Sequence, residues 1–308
     1  DDGMTASPAV EVRGLEKRFG RFRAVKAIDF TIGRGEIFGF IGANGAGKST
    51  TIKMLCGLLP PDGGRAVVAG IDVAADPEGV KRRIGYMCQK FALYGDLTAA
   101  ENVDFFGGVY GLPPERLRAR RAGLFRLLEL ESRAGRRAAD LPRGFQQRLA
   151  LACAVVHEPA VVFLDEPTAG VDPVQRRAFW ELIYGFASAG TTVFVTTHFL
   201  DEAEYCHRVG FIAEGELAAV DTPAGLKSLL AGWTVYELRT ADPAGMLPAV
   251  QILPGVRSAA LFGEAIHVLA PEAADPDDLF GRLSGPAGYE PIPPTLEDVF
   301  LHLAGKTP

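Results

Sequence analysis

The sequence predicts an α/β fold built on a parallel sheet, followed by a smaller α+β unit. Three observations carry this. A glycine-rich loop at 42–47 sits between a strand-like run and a helical pattern. β-Branched and aromatic runs at 161–164, 192–196 and 209–212 alternate with helical patterns at 173–188 and 200–206, the order that generates a parallel sheet. Composition then shifts after Pro223. A length of 308 residues fits two domains at about 150 residues each.

Taken in order, residues 10–73 are short apolar segments broken by glycine. Segments 10–12, 27–32, 36–41 and 66–68 read as strands, with turns at Gly20, 33–35 and 60–64. Residues 48–58 place Ile52, Met54, Leu55 and Leu58 at helical spacing, and 98–157 is helical, rich in Ala, Leu and Arg. Beyond Pro223, strand-like segments 234–239, 256–262 and 265–269 alternate with helical stretches near 243–251, 275–283 and 295–304. That β-α-β-β-α order predicts a ferredoxin-like appendage.

Composition narrows the function classes. The balance of 32 basic and 38 acidic residues gives −6, which argues against a globally basic nucleic-acid binder. Locally, residues 115–137 hold eight Arg against three Glu, and 237–298 hold ten acids against three Arg. Both read first as solvated faces; the basic one is also a candidate docking or membrane-apposed surface. It lacks the aromatic interleaving of a nucleic-acid platform. The longest apolar run, 149–156, is far below the ~20 residues of a membrane span, and no signal peptide is evident, so a soluble chain is expected. Cys56, Cys88, Cys153 and Cys206 are widely spaced, without CxxC, and the five histidines form no HxxxH pair. This argues for reduced thiols and against a structural zinc.

The chemistry is concentrated in a few motifs. Gly42-Ala-Asn-Gly-Ala-Gly-Lys48-Ser49 fits GxxxxGK[ST] in the required strand–loop–helix context. Glycines let consecutive N–H groups face phosphate oxygens, and the helix N-terminus adds partial positive charge. Lys48 would reach the β- and γ-phosphates and Ser49 would ligate Mg²⁺. A second element, 161–164 followed by Asp165 and Glu166, puts two carboxylates at a strand's C-terminal edge, where open α/β sheets bind ligands. Asp165 would hold Mg²⁺ through water, and Glu166 would polarise an attacking water.

At this point the residues resemble the ATP-binding cassette (ABC) ATPase subunits of transporters, over roughly residues 10–222. Phe19 resembles the aromatic that stacks on adenine, Gln89 the Q-loop glutamine, 169–172 the D-loop and His198 the switch histidine. Residues 141–149 occupy the place of the LSGGQ signature. The resemblance implies a P-loop NTPase cassette with a RecA-like parallel core, an antiparallel β subdomain and a helical subdomain. It implies a nucleotide-binding domain over 8–223 (helical subdomain about 90–157) and an accessory domain over 224–308. Carried onto this chain, the catalytic set is Glu166, His198 and Gln89, and the Mg²⁺ set is Ser49, Gln89 and Asp165. ATP contacts fall on Phe19, Gly42, Asn44, Gly45, Gly47, Lys48, Ser49, Thr50, Gly144 and Asp172.

A second resemblance is to ATPases of ABC-2 type exporters of drugs, antibiotics, lipids or ions. It rests on Pro294-Thr-Leu-Glu-Asp-Val-Phe300 and on 89–98. It implies an integral-membrane permease as partner, whose coupling helix would dock near Phe91, Leu93 and Tyr94. It also implies a second ATPase subunit and a peripheral position on the cytoplasmic face of the membrane. No nucleic-acid partner is expected.

One departure stands out. The signature's serine position is Pro142 and its first glycine is Arg143. Proline has neither hydroxyl nor N–H. One lost charge-assisted hydrogen bond costs about 1.5–3 kcal/mol, so weakened turnover of a homodimer is expected. The alternatives are a weakly hydrolysing regulatory subunit, and a soluble ABC protein acting on DNA or ribosomes.

Overall fold

In the computed structural model, residues 7–89, 93–281, 283 and 286–304 are described. Phe91 lies outside them. The chain divides into two compact units between Val220 and Asp221.

The first unit carries β1 (Val10–Phe19), β2 (Phe22–Ile32), β3 (Ile37–Ile41), α1 (Lys48–Leu55), β4 (Gly63–Val68), β5 (Ile71–Asp72), α2 (Pro77–Arg83) and β6 (Ile84–Met87). Then follow α3 (Ala99–Val109), α4 (Pro114–Leu127), α5 (Arg143–Val155), β7 (Val161–Asp165), α6 (Pro173–Ser188), β8 (Thr192–Thr197), β9 (Arg208–Ala213) and β10 (Glu216–Asp221). One sheet has the order β2-β1-β4-β5, with antiparallel pairs. The other runs β10-β9-β3-β8-β7-β6, and its pairs from β9 to β6 are parallel.

The residues explain this arrangement. β3, β7 and β8 are apolar or β-branched nearly throughout and buried at every position, as strands covered on both faces must be. Phe30 of β2 stacks on Phe38 of β3 with ring centroids 5.4 Å apart. Phe38, Phe40 and Phe163 converge on Phe194 of β8 at 5.3–5.8 Å within the parallel sheet, and Phe30 packs on this cluster from the antiparallel sheet. Because the parallel strands end at one edge, the loops after β3, β6, β7 and β8 are brought together there.

The helical region is fastened at its entrance. Thr98 accepts from the Glu101 N–H while the Glu101 carboxylate accepts from the Thr98 N–H, a capping box that starts α3. Fully buried Asn102 accepts from the Tyr94 N–H and donates to the carbonyls of Tyr94 and Thr98, so the segment arriving from β6 is pinned to α3. Much of the basic stretch is paired: Arg116 and Arg120 with Glu158, Arg121 with Asp104, and Arg126 with Glu131.

Several local expectations change. α1 stops at Leu55, three residues early, and 200–206 yields only a 3₁₀ turn over Glu202–Tyr205, whose Glu202 side chain turns into the core. α2, unmarked by hydrophobic spacing, is set by its ends: Asp76 accepts from the Gly79 N–H and Pro77 opens the helix.

The second unit contains α7 (Pro223–Lys227), β11 (Trp233–Thr240), α8 (Pro243–Gln251), β12 (Ser258–Phe262), β13 (Ala265–Pro271), α9 (Pro276–Phe280), β14 (Pro286–Ile292) and α10 (Leu296–Ala304). Its strands pair antiparallel in the order β12-β13-β11-β14, the ferredoxin-like arrangement. β14 escapes a pattern reading because PAGYEPI carries two prolines. Among the described residues it pairs with β11 alone, and a sheet edge tolerates a missing N–H. Among the described residues, no helix is long and apolar enough to cross a membrane.

His157, just beyond α5, stacks on Tyr110 with centroids 3.5 Å apart and hydrogen-bonds the Ile84 carbonyl through Nε2 at 3.0 Å. Burial pulls its pKa down to about 4, the Ile84 bond opposes this, and Arg120 adds to it. In the unfolded chain it titrates near 6.5, so between these values the unfolded state binds more protons and stability falls as pH drops. Urea unfolding at pH 7 and pH 5 should show His157→Gln losing about 2 kcal/mol less than the wild type over that interval. Equal losses would remove His157 as the cause.

Candidate active site

A cleft of about 680 Å³ opens at the carboxyl edge of the parallel sheet. Its floor is the loop between β3 and α1. A Cβ on Gly42 would sit 2.1 Å from the Ile212 carbonyl, so only glycine lets the loop lie against β9. Gly47 caps α1 at φ 109°, with its α-carbon facing the Ala24 carbonyl. Asn44, Gly45, Gly47, Lys48, Ser49 and Thr50 line the cleft, while Gly42 lies beneath it.

Lys48 is almost fully buried. Its Nζ donates to the carbonyls of Gly42 (2.7 Å) and Ala43 (3.1 Å) and lies 3.8 Å from Glu166 Oε1. Burial lowers its pKa from the ordinary lysine range, and the Glu166 and Asp165 carboxylates offset part of that. A desolvated ammonium held by two backbone carbonyls is a strong partner for an anion entering the cleft.

The end of β7 supplies both acids, and the end of β8 supplies the hydroxyl between them. Asp165 Oδ1 accepts from Thr196 Oγ1 at 2.7 Å and from Ser49 Oγ at 3.3 Å. Glu166 adopts φ 49°, and its N–H is shared between the Thr196 carbonyl (3.1 Å) and hydroxyl (3.0 Å). A left-handed glutamate is backbone strain of the kind held at functional sites. Its Oε2 accepts from Gln89 Nε2 at 2.8 Å and lies 3.3 Å from His198 Nδ1. The structure thus gathers Lys48, Gln89 and His198 around one carboxylate.

Phe19 lines the cleft mouth on the β1–β2 hairpin. Phe22, opposite it in register, lines the cleft as well. The second phenylalanine is a finding of the structure, although Phe19-Gly-Arg-Phe22, with its two-residue turn, held the signal. Thr196 is likewise an addition, acquiring its place only from pairing opposite Asp165, while Ala169, the first residue of the expected D-loop, lines the cleft.

Two expected contacts are not brought to the cleft. Gly144 lies in the first turn of α5 beside Gln175, and Asp172 caps α6, accepting from the N–H groups of Val174 and Gln175. Pro142 is the N-cap of α5 and offers it no side-chain bond. Arg143 extends the other way, donating from Nε to the Ala169 carbonyl at 3.2 Å.

The ABC transporter family model matches residues 25–169. The Nod factor export ATP-binding protein I of Burkholderia lata is 36% identical over 306 residues, 98% of this chain and 99% of that protein. The chain belongs to the ABC transporter family of ATP-binding proteins.

The probable multidrug ABC transporter ATP-binding protein YbhF of Escherichia coli (strain K12) is 50% identical over 230 residues. These are 74% of this ABC protein but 39% of YbhF, so the chain spans well under half of that relative. Among solved structures, the ATP-binding cassette MJ0796, a dimer in a post-hydrolysis state with ADP and Pi, matches with a TM-score of 0.63 at 27% identity. The match covers 69% of this chain and 98% of that one.

In this ABC cassette, Gly42→Ala tests the floor of the cleft. The added methyl must displace β9 or the loop, and overpacking of this kind costs about 1–3 kcal/mol. Urea unfolding should show that loss, with weakened nucleotide binding. Unchanged stability would mean that the contact with Ile212 is loose.

Proposed function

We propose that the chain hydrolyses ATP to power an exporter, acting as the motor subunit on the cytoplasmic face of a membrane. The observation that carries this is the grouping of Gln89, His198 and Lys48 about Glu166, beside the Ser49–Asp165 contact. The relatives, named for multidrug transport and Nod factor export, support export over action on DNA or ribosomes and over a purely regulatory role.

In this reading the loop 42–47 and the α1 N-terminus receive the phosphates, Lys48 pairs with the β- and γ-phosphates, and Phe19 and Phe22 face the base. Glu166, held by Gln89 and by its own strained backbone, orients and polarises the attacking water, and His198, beside it, contacts the γ-phosphate. Ser49 Oγ and Asp165 Oδ1 are hard oxygen donors suited to Mg²⁺, with Gln89 close by. Bound Mg²⁺ supplies neutralisation of phosphate charge.

Gly144 and Asp172, which lie away from their own chain's cleft, would serve a second ATPase subunit across a dimer interface. The dimeric state of MJ0796 supports such a pairing. Tyr94, Phe105 and Val109 form an exposed apolar patch, with the Tyr94 and Phe105 rings 4.6 Å apart. That patch suits a coupling helix of an ABC-2 type permease.

Two variants test the reading. Glu166→Gln should still bind ATP while turnover falls at least about a hundredfold, the usual weight of a general base. Wild-type turnover in that variant overturns the assignment. Pro142→Ser adds an N-cap hydroxyl to α5, so helix stability should rise by about 0.5–2 kcal/mol and ATP turnover with it. A gain in stability without a gain in turnover would show that the proline does not limit hydrolysis.

A further inference from the structure

Glu202 lies four residues beyond His198 and is completely buried. Its Oε1 accepts from Thr168 Oγ1 at 2.5 Å, and Arg176 Nε of α6 lies 3.4 Å from the same oxygen. Its Oε2 has no hydrogen-bond partner. Thr168, also buried, is two residues beyond Glu166. Arg176 reaches further, pairing with Asp201 at 3.4 Å and laying its guanidinium over the Phe199 ring at 4.0 Å. Phe199 in turn packs on the His198 ring, with centroids 4.1 Å apart.

Stability alone does not account for this arrangement. A buried carboxylate with one oxygen unsatisfied is costly, and a well-packed apolar side chain in its place is often as stable or more so. What the group does uniquely is join two loops. Thr168 belongs to the loop after β7 that carries Glu166, and Glu202 and Phe199 belong to the loop after β8 that carries His198. Within each loop, backbone bonds such as Ala169 N–H to the Glu166 carbonyl and Glu202 N–H to the Phe199 carbonyl make a compact turn. Movement of either turn is therefore passed to the catalytic side chain beside it.

We infer that Thr168, Glu202 and Arg176 form a clip that binds these two loops into one body, fixing the spacing of Glu166 and His198 during ATP hydrolysis. Glu202 and Thr168 are positioning residues, acting through the groups that touch substrate. The inference rests on the reading of Glu166 and His198 as the groups that flank the γ-phosphate. Small displacements of reacting groups are expensive in rate, while phosphate binding by the β3–α1 loop does not pass through the clip. The clip thus acts on kcat and leaves KM alone.

Steady-state ATP hydrolysis by the full chain tests it, with thermal melting to compare variants at equal folded fraction. Thr168→Val removes only the hydroxyl at nearly constant shape; kcat should fall about tenfold, the weight of one hydrogen bond, with KM for ATP within about twofold of wild type. Thr168→Ser restores the hydroxyl and should restore kcat. Wild-type kcat in Thr168→Val, or Thr168→Ser as impaired as Thr168→Val, overturns the clip. Should Thr168→Val not fold, Glu202→Gln carries the test: lowered kcat at unchanged KM supports the clip, and wild-type kcat overturns it. Glu166→Gln separates the two levels. If it is inactive while Thr168→Val is fully active, only the clip fails; if it turns over normally, the reading of the site fails.

Discussion

Between β7 and β8 one buried hydroxyl, Thr196 Oγ1, accepts from the Glu166 N–H and donates to Asp165 Oδ1. Each partner keeps a second bond, the Glu166 N–H to the Thr196 carbonyl and Asp165 Oδ1 to Ser49 Oγ, so the hydroxyl contributes about 0.5–1.5 kcal/mol per bond and fixes direction rather than mere satisfaction. The parallel register that sets Asp165 opposite Thr196 puts the hydroxyl there. It also helps to hold Glu166 in a left-handed conformation that the residue would not choose by itself. Asp165 and Glu166 are therefore oriented by the same atom, and the cleft inherits its geometry from strand pairing.

Charge is balanced around that joint. The Lys48 ammonium is buried against backbone carbonyls, within reach of two carboxylates. Desolvation alone would discourage its charge, and the acids restore part of it. The same acids are relieved by hydroxyl and amide donors: Thr196 and Ser49 on Asp165, and Gln89 on Glu166. An anion entering this cleft exchanges one set of partners for another without exposing an isolated charge. The tight contacts of Gly42 and Gly47 with neighbouring carbonyls keep the phosphate loop in place while that exchange happens.

What the sequence revealed and what it concealed follow from the range of the interactions. The phosphate loop, the acidic strand end and the buried strands are local patterns, and Lys48, Ser49, Asp165 and Glu166 could be placed from neighbours a few residues away. Gln89 and His198 needed a family resemblance, because each is an ordinary residue at the end of an ordinary strand. Thr196 and Glu202 were invisible. Their roles exist only where segments some thirty residues apart meet, opposite Asp165 in one case and Thr168 in the other. β14 was concealed by its prolines, which an edge position forgives. Arg143 read as a defect in the signature, yet its side chain bridges α5 to the loop that carries Glu166.

The same reasoning changes the weight of the C-terminal motif 294–300. Asp298 accepts from the N–H and the hydroxyl of Thr295 through Oδ2, capping α10, while its Oδ1 meets His267 Nδ1 at 3.0 Å. His267 lies on β13 beneath the parallel ring of Phe262, with Glu237 of the neighbouring strand 4.0 Å away. Leu296 and Val299 are buried beside that contact. Threonine, leucine, aspartate and valine in this spacing are thus what a short amphipathic helix needs to start and to latch onto the ferredoxin-like sheet. In this chain the motif serves to close the second unit. Nothing in it requires contact with a transported substrate, which in this reading meets the permease and not this chain.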